Sequence, residues 1–217
     1  MKVSVIIPAY NEARRIGHVL SRIPRGYEVI VVDDGSHDTT LQEIRKCNAT
    51  AIRLKTNQGK TKACLTGIAR STSDMCIFLD GDGQHYPEDM PAIAAALRHA
   101  DICIGVRDMK RVPLQRRLGN RYARTMMRII TGRDFPDVLC GFRGVRKNKF
   151  KSLTFEKGGY FFESEMAMKA TAHGFRISFV PVRVSYESGA NMGMLKSLEV
   201  AWWLLRKAAA KIFMDLL

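Results

Sequence analysis

At 217 residues, with 46% hydrophobic and 26% charged side chains, the chain fits one soluble globular domain with a sizeable core and excludes a disordered or membrane-spanning class. Thirty-five Lys and Arg against 21 Asp and Glu leave a formal charge of +14, which points to an anionic partner: nucleic acid, a phosphate-bearing substrate or an acidic lipid surface. The five cysteines, odd in number and without a Cys-x-x-Cys pair, exclude a zinc or disulfide framework and read as core residues of a reducing compartment.

The chain enters an apolar strand directly, so no signal peptide is expected, and no uncharged apolar run approaches a membrane span. That first strand, Lys2 to Ile7, is β-branched and ended by Pro8. Asn11 is placed to N-cap a helix running to about Arg22. Tyr27 to Val32 is a second strand, ending in Asp33-Asp34-Gly35-Ser36, with Asp38 placed to cap the next helix. Ala51 to Leu54 is a third, followed by the polar loop Asn57-Gln58-Gly59-Lys60 and a helix over 61–70.

Cys76 to Leu79 is too short for a helix and reads as a buried strand. It stops at Asp80-Gly81-Asp82-Gly83-Gln84, where two carboxylates flank one glycine. Asp-Gly alone is equally a tight turn. As a site it sets hard oxygen ligands side by side, suited to Mg²⁺ or Mn²⁺ completed by water and phosphate oxygens.

Pro87 opens a helix over 88–98, and Asp101 to Val106 is a fifth strand ending at Arg107. Along the basic segment 110–128 and just past it, Leu114, Leu118, Tyr122, Met126 and Ile129 recur at helical spacing. Asp137 to Arg143 leads into another strand; 158–162 is a glycine-aromatic loop, and Glu163-Ser164-Glu165 opens a helix to about His173. Arg176 to Tyr186 is the last strand, with Pro181 suggesting an edge. The terminal helix, 195–217, repeats Leu195, Leu198, Trp202, Leu205, Ala209, Ile212 and Leu216 at three- and four-residue steps. Such a stripe suits core or oligomer packing, while Trp202-Trp203 and the basic flank suit a membrane interface. Strand–helix alternation predicts an α/β, mostly parallel sheet with ligands at the strands' carboxyl ends, where every polar cluster lies.

Taken together, Val-Ile-Ile-Pro-Ala-Tyr-Asn-Glu (5–12), Val-Val-Asp-Asp-Gly-Ser-x-Asp-x-Thr (31–40), Asn-x-Gly-Lys (57–60), Asp-Gly-Asp-Gly-Gln (80–84) and Cys-Gly-Phe-Arg (140–143) resemble the family 2 glycosyltransferases, and within them the dolichyl- or polyprenyl-phosphate sugar synthases. The resemblance implies a GT-A fold: a Rossmann-like, mixed central sheet flanked by helices, here with a C-terminal amphipathic helix. A single domain over 1–217 is expected, with a nucleotide-sugar-binding half (1–106), an acceptor half (107–190) and the terminal helix (191–217).

By the same resemblance Pro8, Tyr10 and Glu12 form the nucleotide wall, although Glu12 also suits a helix first turn. Asp34, or Asp33, reads base or ribose, and Val32 and Lys60 complete the donor set. Asp80, Gly81, Asp82 and Gln84 form the metal and diphosphate loop, with Asp80, Asp82 and Gln84 as ligands to Mg²⁺ or Mn²⁺. Arg107 contacts the donor phosphate, and Arg116, Arg117 and Arg121 receive the acceptor phosphate, although each suits a solvated helix face as well. Asp82, Arg107 and Arg117 carry the catalysis.

The implied reaction is inverting hexose transfer from a GDP- or UDP-sugar to a polyprenyl phosphate. Glu163 and Glu165 are the late carboxylates that could act as a base, read here as first-turn helix residues. The chain departs from the synthases where Gly-x-Ser-Lys would follow the last strand, reading Tyr186-Glu187-Ser188-Gly189-Ala190-Asn191-Met192 instead. The expected place is the cytosolic face of the membrane, peripherally bound, with an oligomer or an anchoring partner left open. Two other readings are a family 2 transferase with a non-lipid acceptor and a catalytically silent sugar-nucleotide binder; the complete acidic loop speaks against the second. A basic nucleic-acid-binding domain lacks any recognition helix, zinc spacing or RNA-binding strand pattern, so no nucleic-acid partner is expected.

Overall fold

In the computed structural model, which describes residues 2–156, 161–186 and 194–215, the β-branched runs pair into one seven-stranded sheet. Its strands are β1 (Val3–Ala9), β2 (Glu28–Asp33), β3 (Thr50–Arg53), β4 (Met75–Phe78), β5 (Ile102–Arg107), β6 (Arg143–Arg146) and β7 (Ile177–Val182). They lie in the order β3-β2-β1-β4-β6-β5-β7. β6 runs antiparallel to both neighbours, and all other pairs are parallel. The sheet is therefore mixed and mostly parallel, as the GT-A expectation requires. Pro181 lies in β7, at an edge, where a missing donor costs least.

Pro8 does not end β1, which continues to Ala9 paired with β2. Ile6 O accepts Leu79 N–H on the β4 side, while Ala9 O accepts Asp34 N–H on the β2 side. By alternation Pro8's absent donor faces β4, beyond the last paired residue of that strand, Phe78.

Helices cover both faces: α1 (Ile16–Ser21), α2 (Thr40–Arg45), α3 (Lys60–Arg70), α4 (Met90–Ala96, after a 3₁₀ turn at Pro87–Asp89), α5 (Leu114–Thr131), α6 (Lys147–Lys151), α7 (Phe162–Ala172) and α8 (Met194–Asp215). Successive strand residues point to opposite sides. Cys76 and Phe78 of β4 join a cluster with α3, α5, α6, α7 and α8, while Met75 and Ile77 join one with α1, α2 and α4. Phe78, Phe150, Phe155 and Phe162 stack at centroid distances of 5.0–6.2 Å within the first cluster, and each fully buried ring contributes about 1.5–3 kcal/mol. The helix over 147–151 has no counterpart in the sequence expectations.

Two local readings change. Asn11 does not cap α1, which starts at Ile16; it adopts φ 56°, accepts His37 N–H and donates its own N–H to Ser36 Oγ, each at 2.9 Å. It ties the β1 exit to the β2 exit. Val32 is wholly buried, and a Cβ on Gly67 of α3 would come within 3.3 Å of its Cγ2 and 2.4 Å of Ile6 Cγ2. That close helix–sheet approach makes the Val32 side chain core, not part of a donor site.

The terminal helix gives the larger departure. Val200, Trp203, Leu204 and Ala208 enter the core, whereas the stripe read from spacing faces outward: Leu198 is 59% exposed, Trp202 64%, Leu205 44% and Ile212 48%. α5 repeats this, burying Asn120, Ala123 and Met127 and exposing Leu114 (60%) and Leu118 (56%). The two helices are in contact, with Tyr122 Oη donating to Ala201 O at 3.0 Å.

Candidate active site

The carboxyl ends of β1, β2 and β4 carry the residues expected at the donor site. Leu79 N–H still bonds Ile6 O (3.1 Å), so the chain leaves β4 just before Asp80. Asp82 Oδ1 accepts Gln84 N–H at 2.9 Å, closing the turn. Lys60, first residue of α3, places Nζ 2.5 Å from Asp80 Oδ1 and 2.5 Å from Glu163 Oε1. Glu163, read from sequence as a first-turn residue, is that and also half of this bridge.

Gly141 shows how tightly the bridge is enclosed. A Cβ there would lie 2.2 Å from Asp80 Oδ2 and 2.9 Å from Lys60 Nζ, so any larger residue would displace the bridged side chains. Arg143, wholly buried, fixes the loop by donating to Cys140 O (2.7 Å), Val138 O and, across to α7, Glu163 O (2.6 Å). The Cys-Gly-Phe-Arg motif is thus a clamp: arginine anchors the loop and glycine lets it approach.

Charge settles unevenly. Burial alone would raise the Asp80 carboxyl, but Lys60, His85 and Arg107 outweigh it and hold it below the usual range. Asp82, raised first by burial and then by Asp80, stands at about 6. For Lys60, burial would depress the ammonium, yet Asp80 and Glu163 hold it above the usual lysine range. Sequence reading passed over His85; it is buried, its ring is 5.3 Å from Phe142, and burial pushes the imidazole down to about 4, so it is neutral at physiological pH. Among the described residues its Nδ1 has no hydrogen-bond partner.

Among the residues expected at the nucleotide, Asp34 accepts Gln58 N–H and Gly59 N–H, both at 2.8 Å, and so shapes the loop that delivers Lys60. Asp33 accepts Ser36 N–H (2.9 Å) and leaves Oδ2 buried without a hydrogen bond, 3.7 Å from Arg53 Nε. Tyr10 is 37% exposed beside His37. Glu12 accepts Arg15 Nε at 2.6 Å, and burial raises its carboxyl. Pro8 O lies 3.4 Å from where a Gly81 Cβ would stand, joining the β1 exit to the acidic loop.

The arginines divide. Arg107 is engaged by Asp137 through Nε (2.7 Å) and Nη2 (2.8 Å), a buried bidentate pair. Its Nη1 reaches Tyr186 Oη at 3.5 Å, and Arg116 lies over the Tyr186 ring at 5.0 Å. Arg116 Nη1 donates to Gln84 Oε1 at 2.6 Å. Of the three arginines expected at the acceptor phosphate, Arg116 thus reaches the acidic loop. Arg117 and Arg121 are exposed on α5. Arg121 lines a cleft of about 390 Å³ with Arg124, Thr125, Arg128 and Asp134. The segment 187–193, which holds most of the departing donor loop, and most of the glycine-aromatic loop, 157–160, lie outside the described residues.

Among the described residues no three His, Cys, Asp or Glu side chains assemble into a metal-binding group. The donor chemistry still suits Mg²⁺ or Mn²⁺, which need only one or two protein carboxylates when water and phosphate oxygens complete the shell. Asp80 and Asp82 supply such a pair, close enough for one to raise the other's carboxyl. Gln84, the third residue expected there, accepts Arg116 Nη1 at its Oε1, as Asp80 Oδ1 faces Lys60 Nζ.

A family profile described as glycosyl transferase family 2 matches residues 4–154, more than half of the chain. The chain belongs to glycosyl transferase family 2. This family 2 transferase is 34% identical to an uncharacterised protein of Methanocaldococcus jannaschii over 217 residues, covering 90% of this chain and 94% of the relative. It is 32% identical over 186 residues to the dolichol-phosphate mannosyltransferase of Pyrococcus furiosus, covering 78% of this chain but about half, 53%, of that relative. An undecaprenyl-phosphate mannosyltransferase of Micrococcus luteus is 29% identical, with 84% of this chain and 83% of the relative covered. Among solved structures, the glucosyl-3-phosphoglycerate synthase of Mycobacterium tuberculosis in complex with Mn²⁺, uridine diphosphate and glucosyl-3-phosphoglycerate superposes with a TM-score of 0.78 at 19% identity, covering 97% of this chain and 79% of that one. At that identity the likeness shows the fold, and the family 2 transferase shares it.

Proposed function

We propose that this glycosyltransferase moves a hexose, with inversion, from a GDP- or UDP-sugar to a polyprenyl phosphate at a membrane surface, with Mg²⁺ or Mn²⁺ as cofactor. One observation carries the lipid acceptor: α5 and α8 hold apolar residues outward together, among arginines, and the same α5 sends Arg116 to Gln84 of the acidic loop. Between the helices an apolar groove of about 410 Å³ is lined by Tyr122, Leu198, Ala201, Trp202 and Leu205. Arg117, Arg121, Arg124 and Arg128 stand exposed along α5. Apolar anchors ringed by guanidinium groups suit an interface of acyl chains and anionic headgroups. The relatives named for dolichol and undecaprenyl phosphate support this reading. No helix among the described residues is long and apolar enough to cross a membrane; on this reading the outward face of α5 and α8 lies peripherally on the cytosolic face.

Asp80 and Asp82 would hold the cation, which when bound would supply positive charge against the negative charge growing on the leaving diphosphate. The protein's own groups do the rest. Asp34 and the exits of β1 and β2 seat the nucleoside, while Arg116 and the α5 arginines draw the acceptor phosphate toward the loop. A phosphate monoester has its second pKa at about 6 and attacks as an anion, so no general base is required. Glu163, engaged by Lys60, fits that economy.

The donor is tested by thermal shift, because a ligand that binds only the folded state raises the melting temperature. One nucleotide sugar of a GDP and UDP panel is expected to raise it, and only with Mn²⁺ present; equal shifts with EDTA would defeat the metal reading. Attachment is tested by flotation with anionic liposomes. Truncating α8 would strip Trp203 and Leu204 from the core, so a Leu198→Asp, Trp202→Asp variant is the cleaner probe. It is expected to stay with the soluble fraction while the parent floats. Flotation of both would remove this face from the account. A soluble phosphorylated acceptor glycosylated by a parent that does not float would establish the non-lipid reading instead.

A further inference from the structure

The Lys60 bridge sets an ammonium on one of the two carboxylates assigned to the divalent cation. We propose that Lys60 is a resident counter-cation for Asp80, neutralising it in the ligand-free enzyme and passing to Glu163 when Mg²⁺ or Mn²⁺ arrives with the donor. The inference rests on the reading of Asp80 and Asp82 as the metal loop.

Three observations carry it. Lys60 Nζ is equidistant, at 2.5 Å, from Asp80 Oδ1 and Glu163 Oε1, so it has a second seat already in contact. Gly141 closes one side: a Cβ there would lie 2.2 Å from Asp80 Oδ2 and 2.9 Å from Lys60 Nζ. All three side chains are largely buried, Lys60 at 19% exposure, Asp80 at 26% and Glu163 at 11%.

The electrostatics then follow. Asp80 without a cation would be a poorly solvated charge beside Asp82, which Lys60 prevents. An ammonium and a divalent cation on the same carboxylate repel strongly at this depth, so one must yield. Glu163 lets the lysine yield without leaving a carboxylate bare. Free metal therefore binds weakly, and diphosphate oxygens tip the exchange, coupling metal entry to donor entry.

The test is Mn²⁺ titration of nucleotide-free protein, followed by loss of the free-ion electron paramagnetic resonance signal. Lys60→Met is expected to tighten Mn²⁺ binding about tenfold or more, since a fixed positive charge has gone. Glu163→Gln is expected to weaken it several-fold, because the lysine loses its alternative partner. In the Lys60→Met background the Glu163→Gln change is expected to add little, which separates exchange through Lys60 from the through-space effect of a lost carboxylate. Unchanged affinity in Lys60→Met, or a Glu163→Gln effect that persists undiminished beside Lys60→Met, overturns the inference. If Lys60→Met does not fold by circular dichroism, Glu163→Gln decides: unchanged affinity there overturns it too. Absence of Mn²⁺ binding by parent and variants alike, even with GDP or UDP added, overturns the metal reading itself.

Discussion

Asp82→Ala is expected to lower sugar transfer about 10²–10³-fold or more, the loss seen when a single preorganised charge-stabilising group is removed from an active site. Its fold should persist. Among the described residues Asp82 accepts a hydrogen bond from Gln84 N–H, and such a bond contributes about 1 kcal/mol. Removing Asp82 also relieves its repulsion with Asp80. The measurement is steady-state transfer against metal concentration, beside a urea unfolding curve. Turnover equal to the parent's at saturating Mn²⁺ would take Asp82 out of the reaction.

Arg107→Ala is expected to cost about 3–5 kcal/mol of stability, because it strands a fully buried carboxylate, Asp137, in the interior. A shift of the urea midpoint at constant slope reads this out. The pair as a whole is a different matter: replacing both members with apolar residues of similar volume, Arg107→Met with Asp137→Leu, should recover most of the loss. That double variant separates two roles which the single one confounds. If Arg107 also contacts the donor phosphate, the double variant folds and stays inactive. Recovery of stability and activity together would leave Arg107 a structural residue only.

Much of this molecule was readable from its residues because strands and their carboxyl-end loops are written locally. Val3–Ile7, Tyr27–Val32 and Cys76–Leu79 announce themselves by β-branching and length, and Asp-Gly-Asp by its turn chemistry. What depends on distant partners did not show. Nothing near Arg107 reveals that Asp137, thirty residues on, will occupy it. Nothing beside Lys60 points to Glu163, because α7 reaches the acidic loop only after β6 has been inserted between β4 and β5. Spacing found the stripe of α8 but not its direction, since a period of 3.6 identifies an apolar face without saying what covers it. Here the core takes a neighbouring set, Val200, Trp203, Leu204 and Ala208. Asn11 misled for a related reason: a residue suited to capping its own helix was taken by the backbone of another loop.

The only two tryptophans of the chain are adjacent, one buried and one exposed. Trp203 stacks on Phe161 at 5.0 Å and donates Nε1–H to Glu156, whereas Trp202 is open to the surroundings. The protein therefore carries two optical reporters one residue apart. Changing Trp202 to Phe leaves an indole whose emission follows unfolding, and changing Trp203 to Phe leaves one that senses only whatever settles on the outer face. Docking and denaturation, which ordinary intrinsic fluorescence would blend, become separately visible in the same chain.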